Sequence, residues 1–465
     1  MNNGKNLDLV RGLGKWSSAA IVVGTMVGTG IFLKPAEMAA DAGSLLIVLA
    51  AWVVGGVLSL FGALAYAELG AALPEAGGDY AYLREGFGPV WGFLFGWMHS
   101  IVGRPASQSS IAAGLLRFWG FLVPAIAAPV FTARISLPFF NAPYVFDFTW
   151  AQPLAVVALA TLASINFLGV RQGGRLQVIL TVIKVSSVAA IAVFGLALAR
   201  PGGLGFHPFF PARYSAVTIT GFFGALAAAL WAYDGWGDLN LVGSEIEDPQ
   251  RNMPRALILG VIFCIGLFML FSLAAHWALP FPAIAKSEHI GSDLVAQVSG
   301  RNVALWVTLA MVISAIGTLN ASTLSGARVP YAMARDGLFF RGTERIHPRF
   351  RTPGRALLFE FCLASLFAMS GTFEDLTSLF LFANWIFYGL AVAAMIRMRR
   401  THPDLPRPYQ CWGYPWVPVV FVVGAAALTV TLWMARPVRS SIGLALMVSG
   451  LIFYRHWQGK RPEAL

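Results

Sequence analysis

The stretch IVVGTMVGTGIFLKP, residues 21–35, is apolar enough to lie in lipid, yet it holds Gly24, Gly28 and Gly30, Thr25 and Thr29, and ends on Lys34 and Pro35. Gly24 and Gly28 stand in a GxxxG spacing, which close helix packing explains. Packing accounts for neither Gly30 nor Thr29. Gly28 lies twelve residues beyond Trp16, about 18 Å along a helix rising 1.5 Å per residue. That is near the middle of a hydrocarbon core of about 30 Å. Weak helix formers at that depth predict an opened backbone, which a bilayer tolerates only against protein or a wet cavity.

The surrounding chain supplies the bilayer argument. Of 465 residues, 57% are hydrophobic and 12% charged, and mean hydropathy is +0.68; soluble domains carry roughly 25% charge. Apolar runs predict twelve spans at 16–41, 45–72, 90–122, 151–169, 174–199, 216–246, 254–279, 301–334, 355–371, 374–397, 415–435 and 438–456. The expectation is an all-α membrane protein, a single polytopic domain over residues 1–465. The polar stretches 280–300 and 335–354 read as loops or short surface helices. The apolar run after Lys5–Lys15 is longer than a signal-peptide core and reads as a permanent first helix. Cys264, Cys362 and Cys411 are scattered, giving neither metal spacing nor a disulfide framework.

The net charge of +11 follows from where the basic residues stand. With the N-terminus in the cytoplasm, the inner side collects Lys5, Arg11, Lys15, Arg84, Arg171, Arg175, Arg251, Arg255, the run of seven arginines from Arg328 to Arg355, and Arg397, Arg399, Arg400, Arg407, Arg455, Lys460 and Arg461. The outer side receives Arg117, Arg134, Arg200, Arg213, Lys286, Arg301, Arg436 and Arg439. The count is 22 against 8, with Lys34, Arg104 and Lys184 at membrane depth. This asymmetry predicts cytoplasmic termini in the cell membrane and argues against a nucleic-acid partner.

A second interruption falls in span six, where WAYDGWGDLN (231–240) crowds Asp234, Gly235, Gly237 and Asp238 into mid-membrane. Charge at that depth costs roughly 2.5–3.5 kcal/mol on insertion scales and calls for a partner or a task. Spans one and six are five apart, so they would run in opposite senses. Paired interruptions of that kind mark an inverted-repeat carrier, with halves at 16–199 and 216–397 and two additional helices at 415–456. A half-helix starting near Ile31 would present the N–H groups of Gly28, Thr29 and Gly30, suited to a carboxylate. Half-helices ending near Met26 and Ala232 would present carbonyls, suited to an ammonium group. Together these ends suit a small zwitterion such as an α-amino acid.

Several motifs then point to one family. GTGIF (28–32), EAGGDYAYLREGFG (75–88), Arg104-Pro105 with Ser107-Gln108, AYDGWGDLN (232–240), EIEDPQRNMPRA (245–256), FANW (382–385) and RPYQCWGYP (407–415) occur in order. This set resembles the L-type amino acid transporter family of the amino acid–polyamine–organocation (APC) superfamily. The resemblance implies a LeuT-type 5+5 inverted repeat of 12 transmembrane helices, with helices 1 and 6 discontinuous. It implies substrate contacts from Thr25, Met26, Val27, Gly28, Thr29, Gly30 and Ile31, from Trp231, Ala232, Tyr233 and Asp234, and from Asn384. Trp231 would act as a gate. Gly237 stands where the family often has a larger polar residue. Lys184 would stand where sodium-coupled relatives bind the metal, implying sodium-independent transport.

The expected activity is therefore sodium-independent antiport of neutral L-amino acids, with no cofactor and no metal. Proton-coupled uptake, a cationic amino acid or polyamine carrier, and a non-transporting sensor stay open beside it. No Walker, catalytic-triad or HExxH pattern suggests an enzyme. The family's animal members join a single-span glycoprotein through a cysteine after span three; residues 123–150 hold no cysteine, so no disulfide-linked heavy chain is expected. Asp234 faces the vestibule, pairs with Lys184, or caps the broken helix. Arg104 is expected to brace helix ends, Tyr66 and Glu68 to brace the inner gate, and Lys34 to face the outer vestibule or reach the interface. His99 and His276, alone in apolar runs, are not expected to bind metal.

Overall fold

A computed structural model describes residues 8–135, 144–198, 206–211, 213–288, 290–299, 301–370, 373–435 and 437–458. Of the basic residues counted above, Lys5, Arg200, Arg436, Lys460 and Arg461 lie outside them, as do the side chains of Arg134 and Arg301. The first span is two helices, α1 (Lys15–Met26) and α2 (Gly30–Ala42), the latter closed by Gly43 in the left-handed conformation (φ 64°). There follow α3 (Leu45–Ala72), α4 (Asp79–Phe87), α5 (Pro89–Met98) and α6 (Arg104–Leu122). Residues His99–Gly103 between α5 and α6 form a π-turn. Pro105 has no N–H to return to the carbonyl four residues back, so the ladder loosens just before it.

A feature absent from the hydropathy reading comes next: an antiparallel hairpin of β1 (Pro129–Ile135) and β2 (Tyr144–Thr149), with Phe131 opposite Phe148 and Thr132 opposite Asp147. The helices then continue as α7 (Ala151–Phe167), α8 (Val170–Leu198), α9 (Ala216–Tyr233), α10 (Asp238–Leu241), α11 (Pro249–Ala278), α12 (Phe281–Lys286) and α13 (Ile290–Ser299). The remainder are α14 (Arg301–Gly326), α15 (Arg328–Arg335), α16 (Gly354–Ser370), α17 (Phe373–Thr401), α18 (Trp416–Ala435) and α19 (Pro437–Gln458).

Within the described residues, helix occupies each of the twelve expected segments. Among the described residues, eight stretches are long and apolar enough to cross a membrane: α1 with α2, α3, α8, α9 with α10, α11, α14 with α15, α18 and α19. Expected spans four and nine correspond to α7 and α16, each 17 residues long. Many large apolar side chains face outward, among them Val182, Val217, Trp306 and Met434, as suits a surface in hydrocarbon.

α3 packs against α11 and α9, α14 against α6 and α8, and α1 against α8, α11 and α14. Small residues let these helices close. A Cβ on Gly260 would stand 2.7 Å from Val22, and one on Gly62 would stand 2.5 Å from Phe421. Segment 280–300 is not a free loop: α12 and α13 bury Phe281, Ile284, Ile290 and Leu294, and both lie against α2.

Ion pairs fasten one end of the bundle. Buried Arg328 meets Glu245 at 2.9 Å, and Arg84 meets Asp336 at 2.7 Å. Glu68 receives Arg399 through both oxygens, the Cys411 N–H at 2.6 Å, and Arg407 at 3.5 Å. Tyr66 donates to Asp79. Glu68 and Tyr66 thus tie α3 to α17, to the segment before α18 and to α4.

Candidate functional site

The backbone opens where the glycines stand. α1 stops at Met26 and Val27 leaves helical geometry (φ −77°, ψ 78°). Each glycine is required by a neighbour: a Cβ on Gly24 would meet Gln177 Nε2 at 2.1 Å, and one on Gly28 would meet Thr318 Oγ1 at 2.7 Å. A Cβ on Gly30 would stand 2.9 Å from Ala232 Cα. The free amides differ by one residue from expectation. Gly28 N–H donates back to Met26 O at 2.9 Å, because the chain folds tightly after Val27. The amides without an acceptor among the described residues are those of Thr29, Gly30 and Ile31, at the positive end of α2.

The second break begins where α9 stops at Tyr233. Asp234 turns extended (φ −65°, ψ 153°), and Gly235 takes φ 113°, a conformation side chains disfavour. The single proton of Thr25 Oγ1 is shared between Ile21 O at 2.6 Å and Gly235 O at 2.9 Å, so the hydroxyl touches both breaks. The Ala232 and Tyr233 carbonyls meet no donor among the described residues. Of these residues, Thr29 and Gly30 at one helix end and Ala232 at the other line a common space.

That space is a cavity of about 50 Å³, room for a few waters. Thr25, Met26, Gly28, Thr29, Gly30, Trp231, Ala232 and Asp234 line it. Val27 and Ile31 are wholly buried and not on its wall, and Tyr233 stacks on Phe268 at 5.1 Å. Asn384 stands one shell out, where its amide donates to Asp234 Oδ1 at 3.3 Å. Gly237 also lies off the wall, 3.2 Å from Tyr388 when a Cβ is placed on it.

The other wall was not read from the sequence. Arg104, Ser107, Ser110 and Ile111 of α6, Thr318 and Ser322 of α14, and Gly235 and Asp238 complete the lining. Their signal was small polar residues three or four apart inside apolar runs. Arg104, expected to brace helix ends, holds the residue that opens α10: its Nη2 and Nη1 meet the Asp238 carboxylate at 2.6 and 2.9 Å. Ser322 accepts from Arg104 at 3.0 Å, and Ser325 donates to Asp238 at 3.0 Å. A buried pair held this fully satisfies both charges.

Lys184 sits beneath the first break, fully buried. Its ammonium donates to Gly24 O at 2.5 Å, Thr318 Oγ1 at 3.1 Å and Ser314 O at 3.2 Å. Its partners are oxygens of α1 and α14, and Asp234 is not among them. On the other side of the break, Lys34 pairs with Glu37 and lies 5.1 Å from the Trp231 ring centre.

Comparison with known proteins agrees with this geometry. Residues 13–454 match the family model described as amino acid permease. The chain is 30% identical over 460 residues to the b(0,+)-type amino acid transporter 1 of Mus musculus, covering 97% of this chain and 88% of that one. It is 30% identical over 461 residues to the serine/threonine exchanger SteT of Bacillus subtilis (strain 168), covering 96% of each. It is 29% identical over 473 residues to the large neutral amino acids transporter small subunit 2 of Mus musculus, covering 99% of this chain and 84% of that one. The chain is a multi-pass membrane permease and not an enzyme. It belongs to the amino acid permease family, within the L-type amino acid transporter branch of the APC superfamily.

Proposed function

We propose that this protein exchanges small neutral L-amino acids across the cell membrane without sodium, by alternating access. The observation that carries the reading is the paired break. Free amides of Thr29 and Gly30 suit the substrate carboxylate, and the free carbonyl of Ala232 suits its ammonium group. The small cavity and its hydroxyls from Thr25, Ser107, Ser110, Thr318 and Ser322 favour a small polar side chain. The serine/threonine exchanger among the relatives supports both exchange and that side-chain class. Lys184 supports sodium independence, because its ammonium already takes the carbonyl and hydroxyl oxygens that a sodium ion would need.

The scaffold of this reading is twelve spans, five plus five inverted with two additional helices, in one domain with cytoplasmic termini. Trp231 closes the outer route and α12–α13 cover it. The absence of a cysteine in residues 123–150 favours function without a disulfide-linked heavy chain. One observation favours a second reading: Asp234 places a carboxylate on the cavity wall, which suits a cationic amino acid or a polyamine.

The test is uptake of labelled amino acids into proteoliposomes, with and without internal amino acid and with sodium replaced by choline. Serine and threonine flux that requires internal substrate and ignores sodium is expected. Competition by arginine or putrescine would favour the second reading. Flux without internal substrate but driven by a proton gradient would replace exchange with proton-coupled uptake, and binding without flux would make the protein a sensor.

A further inference from the structure

Far from the substrate cavity, a cleft of about 980 Å³ opens between the segment after α15, the start of α16 and the end of α19. Arg341, Arg345 and Arg355 line it. All three are exposed, and none of their guanidinium groups makes a hydrogen bond or ion pair with a protein group among the described residues. The two carboxylates in the cleft do not serve them. Asp336 Oδ2 already accepts from Arg84 at 2.7 Å and from Tyr80 at 2.6 Å. Glu344 Oε2 is turned back onto the Gly342 N–H at 2.6 Å. Gly342 itself (φ 99°) lets the Arg355 guanidinium lie against the turn, for a Cβ there would stand 2.4 Å from Nη1. Three planar forks of N–H donors thus share a concave space with two carboxylates that each have an oxygen engaged elsewhere, and the forks match an oxyanion such as phosphate.

The walls select the source of that phosphate. Phe339 and Phe340 pack on Trp457 at 6.0 and 5.3 Å, bridging α16 and α19. From Arg355, one helical stripe runs down α16 through Leu358 (60% exposed) and Leu366 (64%). From Trp457, a second runs down α19 through Phe453 (40%) and Leu446 (37%). Both stripes are apolar and outward-facing on helices of a membrane protein. A soluble phosphate would use the arginines and leave the stripes unused, whereas a phospholipid uses both.

We propose that this cleft is a binding site for an anionic phospholipid, its phosphate held by Arg341, Arg345 and Arg355 and its acyl chains laid along the Leu358–Leu366 and Leu446–Phe453 stripes. A basic pocket at the interface, opening onto lipid-facing helices, recognises acidic headgroups through charge and chains through shape. The site is independent of the transported substrate.

The test is native mass spectrometry of the intact purified chain with added phosphatidylglycerol, phosphatidylcholine or inorganic phosphate. Wild type is expected to retain phosphatidylglycerol over phosphatidylcholine, with no competition from millimolar inorganic phosphate. The triple variant Arg341→Gln/Arg345→Gln/Arg355→Gln should bind it at least about tenfold more weakly. A control that removes three exposed charges elsewhere, Arg251→Gln/Arg255→Gln/Arg400→Gln, should bind as wild type. Should the triple variant lose its fold, the single reversal Arg345→Glu takes its place with the same expected direction. Equal retention by wild type and the cleft variants overturns the proposal. So does equal loss in the control, which would mean diffuse charge attraction, or displacement by inorganic phosphate, which would mean a soluble anion site.

Discussion

Gly30→Ala is the sharpest probe of the proposed site. The added methyl would lie 2.9 Å from Ala232 Cα and 3.0 and 3.1 Å from the Cζ3 and Cε3 atoms of Trp231. The indole can tilt, but the Ala232 backbone ends α9 and has little room to yield. Overpacking of this kind costs about 1–3 kcal/mol, a factor of about 5 to 150 in an equilibrium. The cost falls on the arrangement in which the two breaks meet, so the apparent affinity for substrate should drop by that factor. The assay is the concentration dependence of serine exchange in proteoliposomes. Gly266→Ala serves as control, because a Cβ there meets nothing within 4 Å. Trp231→Phe in the Gly30→Ala background should recover part of the loss by removing the second ring. If Gly30→Ala exchanges serine with wild-type kinetics, the two helix ends do not form the site.

Lys184→Met would leave Gly24 O and Ser314 O without their ammonium donor; charged hydrogen bonds contribute roughly 1.5–3 kcal/mol each, so exchange should fall at least about tenfold, and unchanged kinetics would reduce this lysine to packing. Asp238→Asn strands the buried Arg104 charge and should destabilise the protein by about 3–5 kcal/mol, read as a lowered unfolding midpoint in detergent; Arg104→Met/Asp238→Leu should recover most of that, and an equally unstable double variant would contradict the pairing. Burial pushes the Asp79 carboxyl up to about 7, above roughly 3.9 in an unfolded chain. The folded state therefore holds a proton that the unfolded state has lost, and stability from this group is full below about pH 4 and declines as pH rises through about 7. Asp79→Asn should flatten that part of the pH–stability curve, and identical slopes in the two proteins would remove Asp79 as its source.

What the sequence disclosed was whatever depends on composition at a known depth. Gly28 and Gly30 at mid-span, and Asp234 with Gly235 in span six, announced both breaks, because few forces besides a backbone opening favour such residues there. The rest depended on which helices meet. Ser107, Ser110, Thr318 and Ser322 became cavity wall only when α6 packed on α14 and α14 on α1 and α10. Lys184 chose carbonyls over Asp234 for the same reason, since its neighbours are set by packing. The hairpin at 129–149 was hidden because hydropathy registers apolar length, and alternation over six or seven residues is a weak signal beside spans three times longer.

The Thr25 hydroxyl has a consequence for rhythm. It stays satisfied by Ile21 when it lets go of Gly235, so parting the two breaks forfeits only about 1 kcal/mol. Should the two breaks part during transport, such a clasp would keep the segments in step and still yield to thermal agitation. A stouter joint at that point would have made a tighter receptacle and a slower carrier.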